Sequence, residues 1–189
     1  FYWKINGKIK KNLVCQFKTD LSSLDYPDYS IFERNVVVYE GRLNVMLSRG
    51  CPYSCNYCSN KAIRSVYPSS RKYFRLPSVE HSIKLIEGMI NHYPETQFIE
   101  FEDDLLIANK TWFIKFSENY LKSIYLTYII CVRSECIDQD ILKALKRSGC
   151  REVYLGLESG NENFRKNILN RKYSNSLFIE KCRMIKETG

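Results

Sequence analysis

This sequence predicts an α/β fold built on parallel strands, and three observations support that. Over residues 43–189, four short apolar runs alternate with segments of helical period, the pattern of parallel strands joined by right-handed helical crossovers. A Ser, Asn or Asp able to cap a helix precedes each longer helical segment. The four runs end in SRGC, FEDD, CVRSE and GLESGNE, so chemistry-bearing side chains stand where parallel sheets gather their functional groups.

The elements follow in order. YWKINGKIK places Asn6-Gly7 between two short runs, the strongest two-residue hairpin signal because a type I′ turn needs positive φ twice. LSSLDYPDYSIFERN is polar and aromatic, holds Pro27 and has no period; it reads as a linker draped over a surface. LNVMLS (43–48) is the first buried-strand run, and a cysteine-rich loop follows it. Ser78 can cap SVEHSIKLIEGMINHY, in which Val79, Ile83, Ile86 and Ile90 keep helical spacing. QFIEFE (97–102) is the second strand, and Asn109 can cap KTWFIKFSENYLKS. LTYIICV (126–132) is the third; Asp138 can cap QDILKALKRSG, with Gly149 as its stop. EVYLGLE (152–158) is the fourth, and a short helix and a Ser174-capped segment lead to Gly189. In this rhythm a fifth strand should follow, so the chain is expected to stop inside a larger domain. The absence of an initiator Met likewise suggests a fragment.

The chain has 189 residues and a net charge of +8. Its Lys and Arg are scattered, which is the pattern of a solvated surface; an anionic partner is the alternative. No segment approaches the roughly 20 apolar residues of a membrane span, and no apolar run follows the basic start as in a signal peptide. The eight cysteines do not suit a disulfide scaffold in a chain of this length. Cys15, Cys131, Cys136, Cys150 and Cys182 stand singly and read as reduced, mostly buried small hydrophobes, which places the protein in the cytoplasm.

The remaining three, Cys51, Cys55 and Cys58, lie within RGCPYSCNYCSN (49–60). A structural zinc wants four ligands; here there are three, and His81 and His92 match no zinc spacing. A haem attachment would need His directly after a CxxC pair. Dithiol redox chemistry at Cys55 and Cys58 would leave Cys51 unexplained. Three thiolates suit an iron–sulfur cluster, and three ligands for a four-iron cluster leave one iron open to a substrate. The loop shows few anchors beyond these ligands, so it is expected to lose order when the cluster is lost.

CxxxCxxC with Tyr57 before its last cysteine, placed between a strand and a helix, resembles the radical S-adenosylmethionine (SAM) superfamily. DYPDYSIFE, RGCPYSCNYCS, FEDD, CVRSE, LKRSGCREVYLGLESGNE and IKETG fall in the order of its cobalamin-binding subgroup. The resemblance covers nearly the whole chain. It implies a partial (β/α) TIM-like barrel, truncated after about four strands. Residues 1–42 would be the hairpin and linker that follow a cobalamin-binding domain absent from this sequence, and 43–189 the N-terminal part of the radical SAM core. It implies a 4Fe–4S cluster on Cys51, Cys55 and Cys58, with the amino and carboxylate groups of SAM on the open iron. One electron from a reductant would then cleave SAM to a 5′-deoxyadenosyl radical.

The resemblance also assigns SAM contacts. Tyr57 would lie near adenine; plain packing is the bland alternative. A carboxylate among Glu102, Asp103 and Asp104 would meet the methionine ammonium, against an acidic loop that merely caps a helix. Arg133 would bind the SAM carboxylate or a substrate acid, against a salt bridge to Glu102 or Glu158. Glu158 and Ser159 would bond ribose hydroxyls or the methionine part, with Gly160 allowing close approach, against a strand-end turn. The full protein would be a cobalamin-dependent methyltransferase or a related radical enzyme acting on an unidentified small-molecule or macromolecular substrate. A non-catalytic iron–sulfur or zinc module and a tRNA-modifying radical SAM enzyme remain as alternatives. The fourth strand, lacking a neighbour, is expected to promote self-association.

Overall fold

The computed structural model describes residues 2–67 and 73–189. Strands β1 (Tyr2–Ile5) and β2 (Lys8–Lys11) form an exposed antiparallel hairpin. Asn6 and Gly7 turn it with φ of 49° and 77°, the left-handed pair that a type I′ turn demands. The linker is draped as expected: two 3-10 turns, capped by Asp20 and Asp28, lie against the first long helix. Ser22 Oγ accepts from Ser78 N at 2.6 Å, and Tyr93 donates its hydroxyl to Tyr29 O at 2.8 Å.

A short helix α1 (Arg34–Val37) leads into a five-stranded sheet of order β3-β4-β5-β6-β7. The parallel strands are β4 (Arg42–Val45), β5 (Phe98–Phe101), β6 (Thr127–Val132) and β7 (Cys150–Leu155). These are the four runs read from the sequence. The fifth strand, β3 (Val38–Tyr39), is antiparallel to β4, so the sheet is mixed rather than wholly parallel. Two residues are too few to show a period, and only the turn at Glu40-Gly41, with φ of 50° and 77°, announces it. β7 also ends three residues before the run predicted for it, which leaves Gly156–Gly160 free to turn.

Helix α2 (Ser59–Ser65) follows the cysteine loop. Helices α3 (Val79–His92), α4 (Lys110–Ser123) and α5 (Gln139–Arg147) begin at the caps read from the sequence. Ser78 Oγ accepts from His81 N at 3.1 Å, Asn109 Oδ1 from Trp112 N at 3.0 Å, and Asp138 Oδ1 from Ile141 N at 3.0 Å. Each such cap contributes about 1 kcal/mol. α6 (Glu162–Asn167) and α7 (Asn175–Thr188) complete the chain. Leu43, Val45, Ile99, Phe101, Tyr128, Ile130 and Val132 pack with the inner faces of α3, α4 and α5 in one core. The opposite face of the sheet carries Arg42, Asn44, Glu100, Cys131 and Tyr154, all partly or fully exposed, with Ile129 buried at 4% among them.

The lone cysteines are less buried than expected. Cys15, Cys131 and Cys182 are exposed, and Cys136 and Cys150 are half-buried. Cys131 takes the outward phase of β6, and Cys15 and Cys182 lie on a linker and on an outward helix position. Among the described residues no helix is long and apolar enough to cross a membrane.

Candidate functional site

A cleft of about 610 Å3 opens at the carboxyl ends of the parallel strands. Cys51, Cys55 and Cys58 line it together with Tyr57, Asn60, Asp104, Arg133, Glu158 and Arg171. The loop that carries the thiols is built into the fold. Arg49 and Arg75 exchange backbone hydrogen bonds at 2.9 and 3.0 Å. Gly50 stands at φ 79°, and a Cβ there would lie 2.6 Å from Tyr73 O, so only glycine fits. Arg64, one turn into α2, donates to Ser54 Oγ at 3.1 Å, to Tyr53 O at 2.9 Å and to Cys51 O. From the far end of the chain, Asn170 Nδ2 donates to Ser54 O at 2.8 Å, and Asn56 N donates to Leu169 O at 3.1 Å. The expectation of a poorly anchored loop is therefore corrected. Its anchors are a helix arginine and a segment more than a hundred residues away, which local patterning does not reveal.

Charge converges on the thiols. Arg133 donates from Nη1 to Cys55 Sγ at 3.0 Å and from Nη2 to Glu135 at 2.6 Å, and its guanidinium lies 3.8 Å from the Tyr53 ring centroid. Burial works against its charge, but Glu135 and Cys55 outweigh burial and lift its pKa above the ordinary arginine value. The ion pair runs to Glu135, two residues on, and not to Glu102 or Glu158. Asn60 Nδ2 reaches Asp104 Oδ1 at 2.8 Å and Cys58 Sγ at 3.6 Å, and Tyr73 donates to Asn60 Oδ1 at 2.7 Å. Burial holds the Cys51 thiol above its ordinary value, against the backbone N–H of Tyr53 and, more weakly, the charge of Arg133.

The three acidic candidates after β5 part company. Asp104 lines the cleft. Glu102 is exposed on the open side of the sheet. Asp103 is 3% exposed and accepts from Leu47 N at 3.1 Å and from both Ser48 N and Ser48 Oγ. It ties the end of β5 to the chain leaving β4 and does not line the cleft. Burial raises its pKa against the pull of those hydrogen bonds.

The turn after β7 forms the opposite wall. Glu158 sits at φ 64°, a left-handed conformation that costs a non-glycine residue roughly 1–2 kcal/mol. Its carboxylate pairs with Arg171 Nη1 at 2.5 Å, and the same nitrogen donates to Tyr57 OH at 2.9 Å. Burial pushes the Tyr57 hydroxyl up to about 12, against the lowering effect of Arg171. Ser159 Oγ accepts from Asn161 N at 3.2 Å and shapes the turn. Arg64, Asn60, Glu135, Asn170 and Arg171 were not singled out from the sequence. Arg64, at helical reach from the loop, is the one that spacing could have suggested.

The donor set fits a polynuclear iron–sulfur group. Three thiols line one cleft with a guanidinium beside one of them. Among the described residues, though, no three His, Cys, Asp or Glu side chains close on a single metal-ion position. A lone zinc needs its sulfurs about 2.3 Å from one point, whereas a cluster takes each thiolate on a different iron.

A mostly parallel sheet with a three-cysteine loop after its first parallel strand, and a cleft at the strand ends, defines the class of protein. The pattern of the Radical SAM superfamily matches residues 45–189, and the chain belongs to that superfamily. An uncharacterized methyltransferase of Pyrococcus horikoshii is 29% identical over 163 residues, 84% of this chain and 34% of that protein. The radical SAM methyltransferase TsrM of Kitasatospora setae, solved with tryptophan substrate and a SAM analog bound, superposes with a TM-score of 0.62 at 13% identity, covering 79% of this chain and 29% of that one. The same enzyme solved with cobalamin and a [4Fe-4S] cluster gives 0.61 at 13% identity, covering 77% and 29%. At that identity the likeness is one of fold. The chain spans about a third of the length of the curated relative.

Proposed function

We propose that this chain is the cofactor-holding core of a radical SAM methyltransferase of the cobalamin-dependent kind. The observation that carries the reading is the placement of Cys51, Cys55 and Cys58 on one cleft, with the Arg133 guanidinium 3.0 Å from Cys55 Sγ. When bound there, a 4Fe–4S cluster would supply the electron for reductive cleavage of SAM. The chain's own residues bind and orient. The three cysteines hold the cluster, and Arg133 offsets thiolate charge at Cys55. Asp104, held by Asn60, offers a carboxylate to the SAM ammonium. Tyr57 and Glu158 form the wall for the adenosine part, with Ser159 shaping the turn behind them. Asp103 acts by position, fixing the exit of β4, and Glu102 faces the open side of the sheet where a substrate would enter. The methyltransferase and cobalamin parts of the reading are supported by the Pyrococcus relative and by the fold of TsrM, and no residue of this chain is assigned to cobalamin.

Anaerobic reconstitution of the full-length protein with iron and sulfide tests this. One 4Fe–4S cluster per chain is expected. Cys55→Ala should abolish its charge-transfer absorbance and Cys150→Ala should leave it. Bound SAM and retained cobalamin are then measured on the same sample. A stoichiometric zinc that iron cannot displace would sink the cluster assignment. A cluster without SAM binding would leave an iron–sulfur module only.

A further inference from the structure

The two walls of the cleft come from distant parts of the chain, and one short segment touches both. The backbone and side chains of Ile168, Leu169 and Asn170 take hydrogen bonds from, or give them to, the cysteine loop: Asn56 Nδ2 to Ile168 O at 2.6 Å, Asn56 N to Leu169 O at 3.1 Å, and Asn170 Nδ2 to Ser54 O at 2.8 Å. Arg171, the next residue, is 4% exposed and reaches across with one nitrogen to Glu158 at 2.5 Å and to Tyr57 OH at 2.9 Å. Its Nε is buried with no partner.

The turn is shaped around this contact. A Cβ at Gly156 would lie 2.5 Å from Glu158 Oε1 and 3.4 Å from Arg171 Nη1, so the glycine makes room for the pair. Glu158 is held in the left-handed region, a conformation that persists only where its surroundings impose it. Tyr173 donates to Gly156 O and Leu157 O at 3.0 Å each, and the fully buried Arg165 donates to Ser159 O. The backbone of the turn is thus fixed without Arg171. What Arg171 adds is the placement of two side chains, one from each wall.

We propose that Arg171 is the positioning residue of the site: it sets Glu158 and Tyr57 in register across the cleft, so that a ligand bridging them meets both at once. The inference rests on the radical SAM reading above and deepens it, since the bridging ligand is the adenosine part of SAM. A shared guanidinium nitrogen is suited to this, because it can hold a carboxylate and a phenol oxygen in one plane. Lys has a single flexible ammonium and cannot fix that geometry.

The test uses the full-length protein reconstituted without oxygen, in wild-type, Arg171→Ala, Arg171→Lys, Glu158→Gln and Arg171→Ala/Glu158→Gln forms. Iron and sulfide content, SAM affinity and the SAM-induced change in the spectrum of the reduced cluster are measured on each. Arg171→Ala is expected to keep its iron and sulfide, weaken SAM about tenfold and shrink the spectral change. Arg171→Lys is expected to recover part of the affinity. The double variant should bind SAM no more weakly than the weaker single variant, because both changes break one unit. Unchanged SAM affinity in Arg171→Lys and Arg171→Ala overturns the proposal, as does simple additivity in the double variant. Should Arg171→Ala fail to fold, the Lys variant decides: wild-type affinity and spectrum there also overturn it. Wild-type protein that takes up a cluster but binds no SAM, or takes up no cluster, overturns the underlying reading instead, and Arg171 is then not at issue.

Discussion

The two faces of the sheet are built from the same four strands and have opposite fates. On one face Leu43, Val45, Ile99, Phe101 and Ile130 are at most 2% exposed beneath three helices. One residue away, Asn44, Cys131 and Tyr154 are exposed, and Arg42 pairs with Glu100 at 2.9 Å; Ile129, at 4%, is the buried exception. Pleating alone separates the two sets. The covered face supplies the stability. The open face, and the strand ends above it, supply the polar groups. A sheet with helices on both sides would read as unbroken apolar runs; RLNV and FIEF alternate instead, whereas TYIICV in the middle of the sheet does not, and its Ile129 is buried on the open face.

Substitution across one pleat should break this comparison if it is wrong. Phe101→Ala removes a side chain that is 1% exposed and packs edge-on against Phe116 and Tyr128. It should cost about 3–5 kcal/mol in urea unfolding. Glu102→Gln, its immediate neighbour on the open face, should change stability by less than about 0.5 kcal/mol. Comparable losses at the two positions would show that the open face is structural after all.

Much of this division was legible in the sequence. The four apolar runs located the parallel strands, and Ser78, Asn109 and Asp138 announced the helices that cover the core, but the runs did not tell Glu102, Asp103 and Asp104 apart. What stayed hidden depends on contacts between distant segments. Asp103 is claimed by Leu47 and Ser48, more than fifty residues earlier, and Asn170 reaches Ser54 over 116 positions. No local spacing encodes such pairs, so the three cysteines were readable as one cluster while the residues that hold their loop were not.

Asp103 gives an effect of middle size. Asp103→Asn replaces an acceptor with an amide that faces backbone N–H donors, and should cost about 1–3 kcal/mol. Burial holds the native carboxyl above its ordinary value, so the folded state binds this proton more tightly than the unfolded chain does. That contribution is fully present below the unfolded pKa of about 3.9 and is lost as pH rises through the raised folded value. The stability gap between wild type and Asp103→Asn should therefore be widest in acid and narrow toward neutrality. A gap that widens with pH would show that the hydrogen bonds, and not burial, govern this carboxyl.

The smallest effect probes the open face itself, through a residue that takes no part in the cofactor loop. Cys131 is exposed as a residue, but partial desolvation of its thiol first, and then the negative charges of Glu102 and Glu100, push it up. Cys150, half-buried at the start of β7, is pushed up to about 12 by burial. Only the thiolate is alkylated, so iodoacetamide followed by peptide mass spectrometry should modify Cys131 faster than Cys150. Glu102→Gln removes one of the two charges beside Cys131 and leaves its burial unchanged. Its alkylation should then run about twofold above the wild-type rate at low salt, and the difference should close at high salt, where the Glu102 charge is screened in the wild type as well. Cys150 should not respond, because its shift is a matter of burial. If the Cys131 rate is the same in both proteins at every salt concentration, the carboxylates do not act through the open face, and its polarity is only that of a solvated surface.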